Sequence, residues 1–135
     1  MHKKIVYTAG VWDLLHRGHL NILDRSKELG DILIVGVLTD DGAAAYKRKP
    51  IQDQETRMQV IRSLYCVDLA IFQPDTDPTP QLEIIRPHIF THGNDWQKLI
   101  RGQETIERLG IEFVLIQYTD GISTTETIKK IQNGN

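Results

Sequence analysis

Residues 16–19 read His-Arg-Gly-His, shortly after an apolar run, Ile5-Val6-Tyr7, and a Thr8-Ala9-Gly10 segment that reads as a turn. Leu20 to Leu29 has helical character, so the tetrapeptide falls where a first strand hands over to a first helix. Free N–H groups and the helix dipole make that junction an anion site in an α/β protein. His16 and His19 are three positions apart, so on a helical turn both rings project to one side. Gly18 removes a side chain between them and lets a phosphate approach the backbone. Such donors stabilise charge building on a phosphorus centre and its leaving oxygen, and a protonated ring would add charge. Asp13 is a candidate to orient one imidazole and fix its tautomer. Two plainer readings compete. A zinc pair needs a third ligand, and the chain has no Cys-x-x-Cys and no His-Glu-x-x-His. Two surface histidines would need no chemistry at all.

Three further segments carry candidate groups. Gly121 allows a tight turn, and Ser123, Thr124 and Thr125 bring hydroxyls and backbone N–H groups to the start of a last helix. That is a second anion cradle, or an ordinary helix cap. Tyr46-Lys47-Arg48-Lys49-Pro50 places three cations in a loop, able to neutralise phosphate charge or simply to be solvated. In His92-Gly93-Asn94-Asp95-Trp96, Gly93 would let a ligand lie close to backbone and Asp95 could accept from ligand hydroxyls. Trp96 would shape a pocket or support the core.

These segments need a scaffold that gathers them. Apolar, β-branched runs occur at Lys4–Tyr7, Ile32–Leu38, Val67–Phe72, Ile89–Thr91 and Phe113–Ile116. Helical stretches lie at His19–Leu29, Gln54–Leu64, Pro80–Ile85, Leu99–Leu109 and Thr124–Ile131. The strand runs are nearly all apolar rather than alternating, which suits strands buried on both faces. Strand–helix alternation predicts an α/β, Rossmann-like, doubly wound single domain over residues 1–135, with a five-stranded parallel sheet and helices on both faces. Gly30 and Gly110 stand where helices end. Ligands in such sheets bind beyond the carboxyl ends of the strands. The segments there are Thr8–His19, Thr39–Pro50, Gln73–Pro80, His92–Lys98 and Gln117–Thr125, and they hold most of the chain's candidate groups.

The bulk properties narrow the classes. The chain has 135 residues, the size of one domain, and a net charge of −2, which gives no basic field for nucleic acid. The single cysteine, Cys66, excludes an internal disulfide and reads better as a buried structural thiol than as a reactive one. No apolar run approaches the ~20 residues that span a bilayer, so no membrane role is expected. The start, Met1-His2-Lys3-Lys4, enters a strand at once without the apolar core of a secretory leader, so the cytoplasm is the expected compartment. No Gly-x-Gly-x-x-Gly follows the first strand and no Gly-x-x-x-x-Gly-Lys-Ser/Thr occurs, which disfavours a dinucleotide-binding domain and a phosphate-loop kinase.

The pattern Gly-x-x-Asp-x-x-His-x-Gly-His, here Gly10-Val11-Trp12-Asp13-Leu14-Leu15-His16-Arg17-Gly18-His19, resembles the signature of the nucleotidyltransferase superfamily. Its Asp-Leu-Leu-His form is similar to the cytidylyltransferase branch, of the glycerol-3-phosphate cytidylyltransferase type. That family's second signature, Arg-Thr-Glu-Gly-Ile-Ser-Thr-Thr, has its counterpart in Tyr118-Thr119-Asp120-Gly121-Ile122-Ser123-Thr124-Thr125. The resemblance covers essentially the whole chain. It implies transfer of CMP from CTP to a small phosphorylated alcohol, with Mg²⁺ carried by the triphosphate and a homodimer as the assembly. It implies that His16, His19, Lys47 and Arg48 are catalytic, and that residues 118–125 hold the β- and γ-phosphates. Gly10, Val11, Trp12, Asp13, Arg57, Gly93 and Asp95 would complete the nucleotide site, and Asp40, Tyr46, Arg48 and Trp96 the acceptor side. Two departures stand out. Tyr118 replaces the family arginine, and in an ungapped match Tyr46 and Arg48 fall at two family lysines, whereas a one-residue slip puts Lys47 there. Heptose-phosphate adenylyltransferases also lack that arginine and keep Gly-x-Ser-Thr-Thr, so ATP and a sugar phosphate are a second reading, with a flavin as another acceptor. A phosphonate-pathway cytidylyltransferase and a catalytically weak nucleotide-binding module are further ones.

Overall fold

The computed structural model describes residues 2–93, 101–117, 119 and 121–134. In chain order the elements are β1 (Ile5–Gly10), α1 (Arg17–Glu28), β2 (Ile32–Leu38), α2 (Asp40–Tyr46), α3 (Gln54–Arg62), β3 (Leu69–Gln73), α4 (Thr79–Ile85), β4 (Ile89–Gly93), α5 (Gln103–Arg108), β5 (Glu112–Ile116) and α6 (Thr124–Gln132). All strand pairings are parallel and the sheet order is β3-β2-β1-β4-β5. The chain starts in the middle, winds outward through β2 and β3, then returns to the other side of β1. The order therefore reverses between β1 and β4, which opens a crevice at their carboxyl ends.

Each sheet face carries its own apolar core. On one face Val6, Leu33, Val35 and Val37 pack with Ile22 and Leu23 of α1 and Met58 and Ile61 of α3. On the other, Tyr7, Ala9, Ile34 and Phe90 pack with Ala43 of α2, Leu82 of α4 and Ile106 of α5. Cys66 packs at the margin of the first core, and burial pushes its thiol pKa up, as suits a structural role. The central strands are buried on both faces, as the unbroken apolar runs predict. The edge strands are not: Leu69 and Phe72 of β3 and Leu115 of β5 are exposed. Among the described residues no helix is long and apolar enough to cross a membrane.

Two local expectations are corrected. Thr8-Ala9-Gly10 is the end of β1, not a turn: Thr8 pairs with both Val35 and Thr91, and Gly10 with Val37. Part of the Thr39–Pro50 segment is helical. Thr39 caps α2 by accepting from Gly42 N at 3.2 Å, and Asp40 and Asp41 sit in its first turn. Seven residues, three of them alanine, are too few to display an apolar period.

Candidate active site

His16 is the N-cap of α1 and His19 its third residue, and the two imidazoles close a capping box. Gly18 N donates to His16 Nδ1 at 3.1 Å, and His16 N donates to His19 Nδ1 at 3.2 Å. Both Nδ1 atoms therefore accept, so each neutral ring carries its proton on Nε2. The rings stack at 3.9 Å between centroids, and the Trp12 indole meets His19 edge-on at 5.7 Å. Burial lowers the pKa of His16. Burial, and then the charge of His16, lower that of His19 from 6.5 to about 3. Both rings are thus neutral Nε2–H donors near pH 7, and the added charge of a protonated ring is not supplied here. Gly18 has a reason besides ligand approach: a Cβ there would lie 2.8 Å from His16 Cε1, so a side chain would displace the ring from its cap.

The turn before the histidines is held in sparsely populated backbone. Trp12 and Leu14 have φ of 60° and 49°. Trp12 Nε1 donates to Gly36 O at 2.9 Å, and Leu14 N donates to Gln52 Oε1 at 3.0 Å. A Cβ on Gly10 would stand 3.0 Å from the Trp12 ring, so Gly10 makes room for the indole. Asp13, 3% exposed, orients neither histidine; its carboxylate accepts from Ile51 N at 2.8 Å and Gln52 N at 3.0 Å. It ties the segment following the cationic loop to the histidine turn.

Arg57 is also turned inward. It is fully buried: Nε donates to Gln52 O, Nη1 to the carbonyls of Val11 and Leu38, and Nη2 to Asp40 Oδ1 at 2.8 Å. Neither Arg57 nor Asp40 lines the cleft; together they bind the carboxyl ends of β1 and β2 to the start of α3.

The crevice at the reversal point is a cleft of about 740 Å³. Gly10, Val11, Trp12, Asp13, His16 and His19 line it, with Tyr46, Lys47 and Arg48, His92 and Gly93, and Thr119, Gly121, Ile122, Ser123, Thr124 and Thr125. The fold thus brings both histidines, the cationic loop and the last-helix start to one space. Arg48 Nη1 reaches toward Thr125 Oγ1 at 3.5 Å, and its buried Nε has no hydrogen-bond partner among the described residues. That guanidinium is a cation with donor capacity to spare inside the cleft. Thr124 Oγ1 donates to Asp13 O at 2.8 Å, and Asn21 Nδ2 donates to Thr119 Oγ1 at 2.7 Å, so both motifs are joined through side chains. Gly121 has a φ of 78°, and Ser123 Oγ caps α6. Asp95, Trp96, Tyr118 and Asp120 lie outside the described residues. Gln73, Thr76 and Phe90 also line the cleft. Sequence reasoning missed them, although Gln73 and Thr76 fall in a segment it marked as following a strand.

A family model described as cytidylyltransferase-like matches residues 7–130. The chain is 36% identical over 133 residues to the Bifunctional protein HldE of Aliarcobacter butzleri, across 96% of the chain and 27% of that protein. It is 36% identical over 132 residues to the Bifunctional protein HldE of Citrifermentans bemidjiense, across 96% of the chain and 27% of that protein. The chain therefore spans about a quarter of the length of these relatives. Among solved structures, a lipopolysaccharide core biosynthesis protein from Thermoplasma volcanium superposes with a TM-score of 0.75 at 35% identity, covering 87% of this chain and 98% of that one.

Proposed function

The chain belongs to the cytidylyltransferase-like family of the nucleotidyltransferase superfamily, and from that premise we propose that it transfers an adenylyl group from ATP to a sugar phosphate, releasing pyrophosphate. A phosphate oxygen of the acceptor attacks the α-phosphorus in line. The new P–O bond forms as the α–β anhydride bond breaks. The attacking phosphate is already anionic near neutral pH, so no strong general base is required. Catalysis is positioning and charge stabilisation. His16 and His19 donate from Nε2 to phosphoryl oxygens, which fits two neutral rings with occupied Nδ1 atoms. Lys47, Arg48 and the N–H groups at the start of α6 take the charge of the departing pyrophosphate. Mg²⁺ enters with the triphosphate as part of the substrate.

The observation that carries the chemistry is the convergence of the histidine pair, the cationic loop and the last-helix start on one cleft. What favours ATP and a sugar phosphate is the likeness to the HldE proteins and to a lipopolysaccharide core biosynthesis protein. It agrees with Tyr118 standing where the glycerol-3-phosphate type has arginine. The second reading, CTP and a small phosphoalcohol, is favoured by the Asp13-Leu14-Leu15-His16 form of the first motif. Comparing kcat/KM for ATP and CTP with sugar 1-phosphates and with glycerol 3-phosphate separates them. ATP with a sugar 1-phosphate is expected to lead, and a preference for CTP with glycerol 3-phosphate would reverse the assignment.

A further inference from the structure

The two bonds that close the capping box are local. Gly18 N to His16 Nδ1 and His16 N to His19 Nδ1 both stay within residues 16–19. They fix the imidazoles relative to each other and to the first turn of α1. They do not fix where the Nε2–H of His19 points relative to the sheet. The ring contact with Trp12 supplies that relation. The indole meets the His19 imidazole at 5.7 Å and 69°, against a ring already stacked on His16 at 3.9 Å.

Trp12 is itself anchored from several sides. It is buried in the first core with Ile22, Val35 and Val37. Nε1 donates to Gly36 O at 2.9 Å, so the indole is tied to β2. That N–H distinguishes it from a phenyl ring, which would fill part of the same space with no bond to the strand. The backbone of Trp12 has a φ of 60°, a conformation that persists only where the surroundings over-determine it. Its neighbours do so here: Val11 O accepts from Arg57, the Asp13 carboxylate accepts from Ile51 N and Gln52 N, and Leu14 N donates to Gln52 Oε1. On the side of β1 the space is closed, since a Cβ on Gly10 would stand 3.0 Å from Cε2 and 3.1 Å from Cζ2 of the indole. A hydrogen-bond donor that must meet a reacting group has to be held within about 0.5 Å of its working position. The indole, fixed to β2 at one end and against His19 at the other, has the rigidity for that.

We propose that Trp12 is a positioning residue for the transfer: anchored to β2 through Nε1, its indole sets the His19 ring so that Nε2–H meets a phosphoryl oxygen. The role rests on the nucleotidyl transfer proposed above. Because it acts through His19, it bears on kcat rather than on either KM. The test is a double-mutant cycle on the intact chain, read as steady-state pyrophosphate release with ATP or CTP and the best acceptor among sugar 1-phosphates and glycerol 3-phosphate. Two variants disturb the indole differently. Trp12→Phe removes the N–H anchor, whereas Gly10→Ala keeps the indole and displaces it by a few tenths of an ångström. Each should lower kcat by about fivefold or more, on the scale of one hydrogen bond, with both KM values within about twofold. In a His19→Ala background neither change should alter kcat by more than about twofold, because the group they act through is gone. Melting curves identify variants that are folded, and Gly10→Ala keeps the test decisive if Trp12→Phe is not. The same loss in both backgrounds, a folded variant with unchanged kcat, or a nucleotide KM raised in place of a lowered kcat would overturn the role while leaving nucleotidyl transfer intact. Absence of pyrophosphate release by the parent chain with either nucleotide and every acceptor would remove nucleotidyl transfer, and the positioning role with it.

Discussion

Thr124 Oγ1 donates to the backbone carbonyl of Asp13 at 2.8 Å, joining the start of the last helix to the turn before the histidine pair, 111 positions away in sequence. Thr124 therefore positions the α6 N-terminus over the cleft. Thr124→Val removes the donor at nearly constant volume and is expected to raise the nucleotide KM about fivefold, on the scale of one hydrogen bond, and the acceptor KM less. Thr124→Ser keeps the donor and should stay near the parent enzyme. Steady-state kinetics with each substrate varied in turn checks this; a larger rise in the acceptor KM would assign the segment to the acceptor.

His16→Ala and His19→Ala should each lower kcat by about two orders of magnitude or more, the scale of a lost oxyanion donor, roughly 3–4 kcal/mol. His19→Gln separates chemistry from architecture, because glutamine at the third helical position still completes a capping box. It should melt close to the parent and remain strongly impaired. A folded His19→Gln enzyme with near-parent kcat would show that the ring does no more than cap the helix.

The lowered pKa of His19 gives a pH dependence with a defined sign. The unfolded ring takes up a proton near 6.5, and the folded ring only at about 3. Between those values the unfolded chain binds more protons, so this contribution is complete above about pH 6.5 and is lost on acidification. The slope should approach about 1.4 kcal/mol per pH unit. Urea unfolding at pH 6.5, 5.5 and 4.5 should show the decline, and His19→Gln should flatten it. Equal slopes in both proteins would mean that His19 protonates freely in the fold.

Arg57 should behave as a structural residue. Arg57→Met leaves the carbonyls of Val11, Leu38 and Gln52 and the Asp40 carboxylate without their donor. A loss of about 3 kcal/mol in urea unfolding is expected. Any rise in nucleotide KM should not exceed the rise in acceptor KM. An unchanged stability with a selectively raised nucleotide KM would place the guanidinium on the triphosphate instead.

The sheet, its parallel sense and the position of the histidine pair were legible because they depend on local pattern. Buried strands write continuous apolar runs, and residues three apart at a helix start meet whether the first is in the helix or, like His16, caps it. The partners of single charged residues were not legible. Asp13 lines the cleft and Arg57 does not, yet both spend their charge on backbone groups, because a carboxylate or guanidinium goes wherever the fold leaves such groups unpaired, here the segment at Gln52 and the strand ends. Gln73 escaped for the converse reason: an isolated glutamine announces no chemistry until Tyr7 and the Asp75 carbonyl fix its amide. The tautomers of His16 and His19 likewise follow only from the cap geometry, which no spacing rule encodes.

In the proposed transfer the α-phosphorus of a nucleoside triphosphate is the point of attack. Separate reactions with [α-³²P]ATP and [γ-³²P]ATP in the presence of a sugar 1-phosphate test it directly. The α label is expected in a nucleoside diphosphosugar and the γ label in pyrophosphate. Transfer of the γ label to the sugar phosphate, or an α label that leaves ATP only as free AMP, would contradict it.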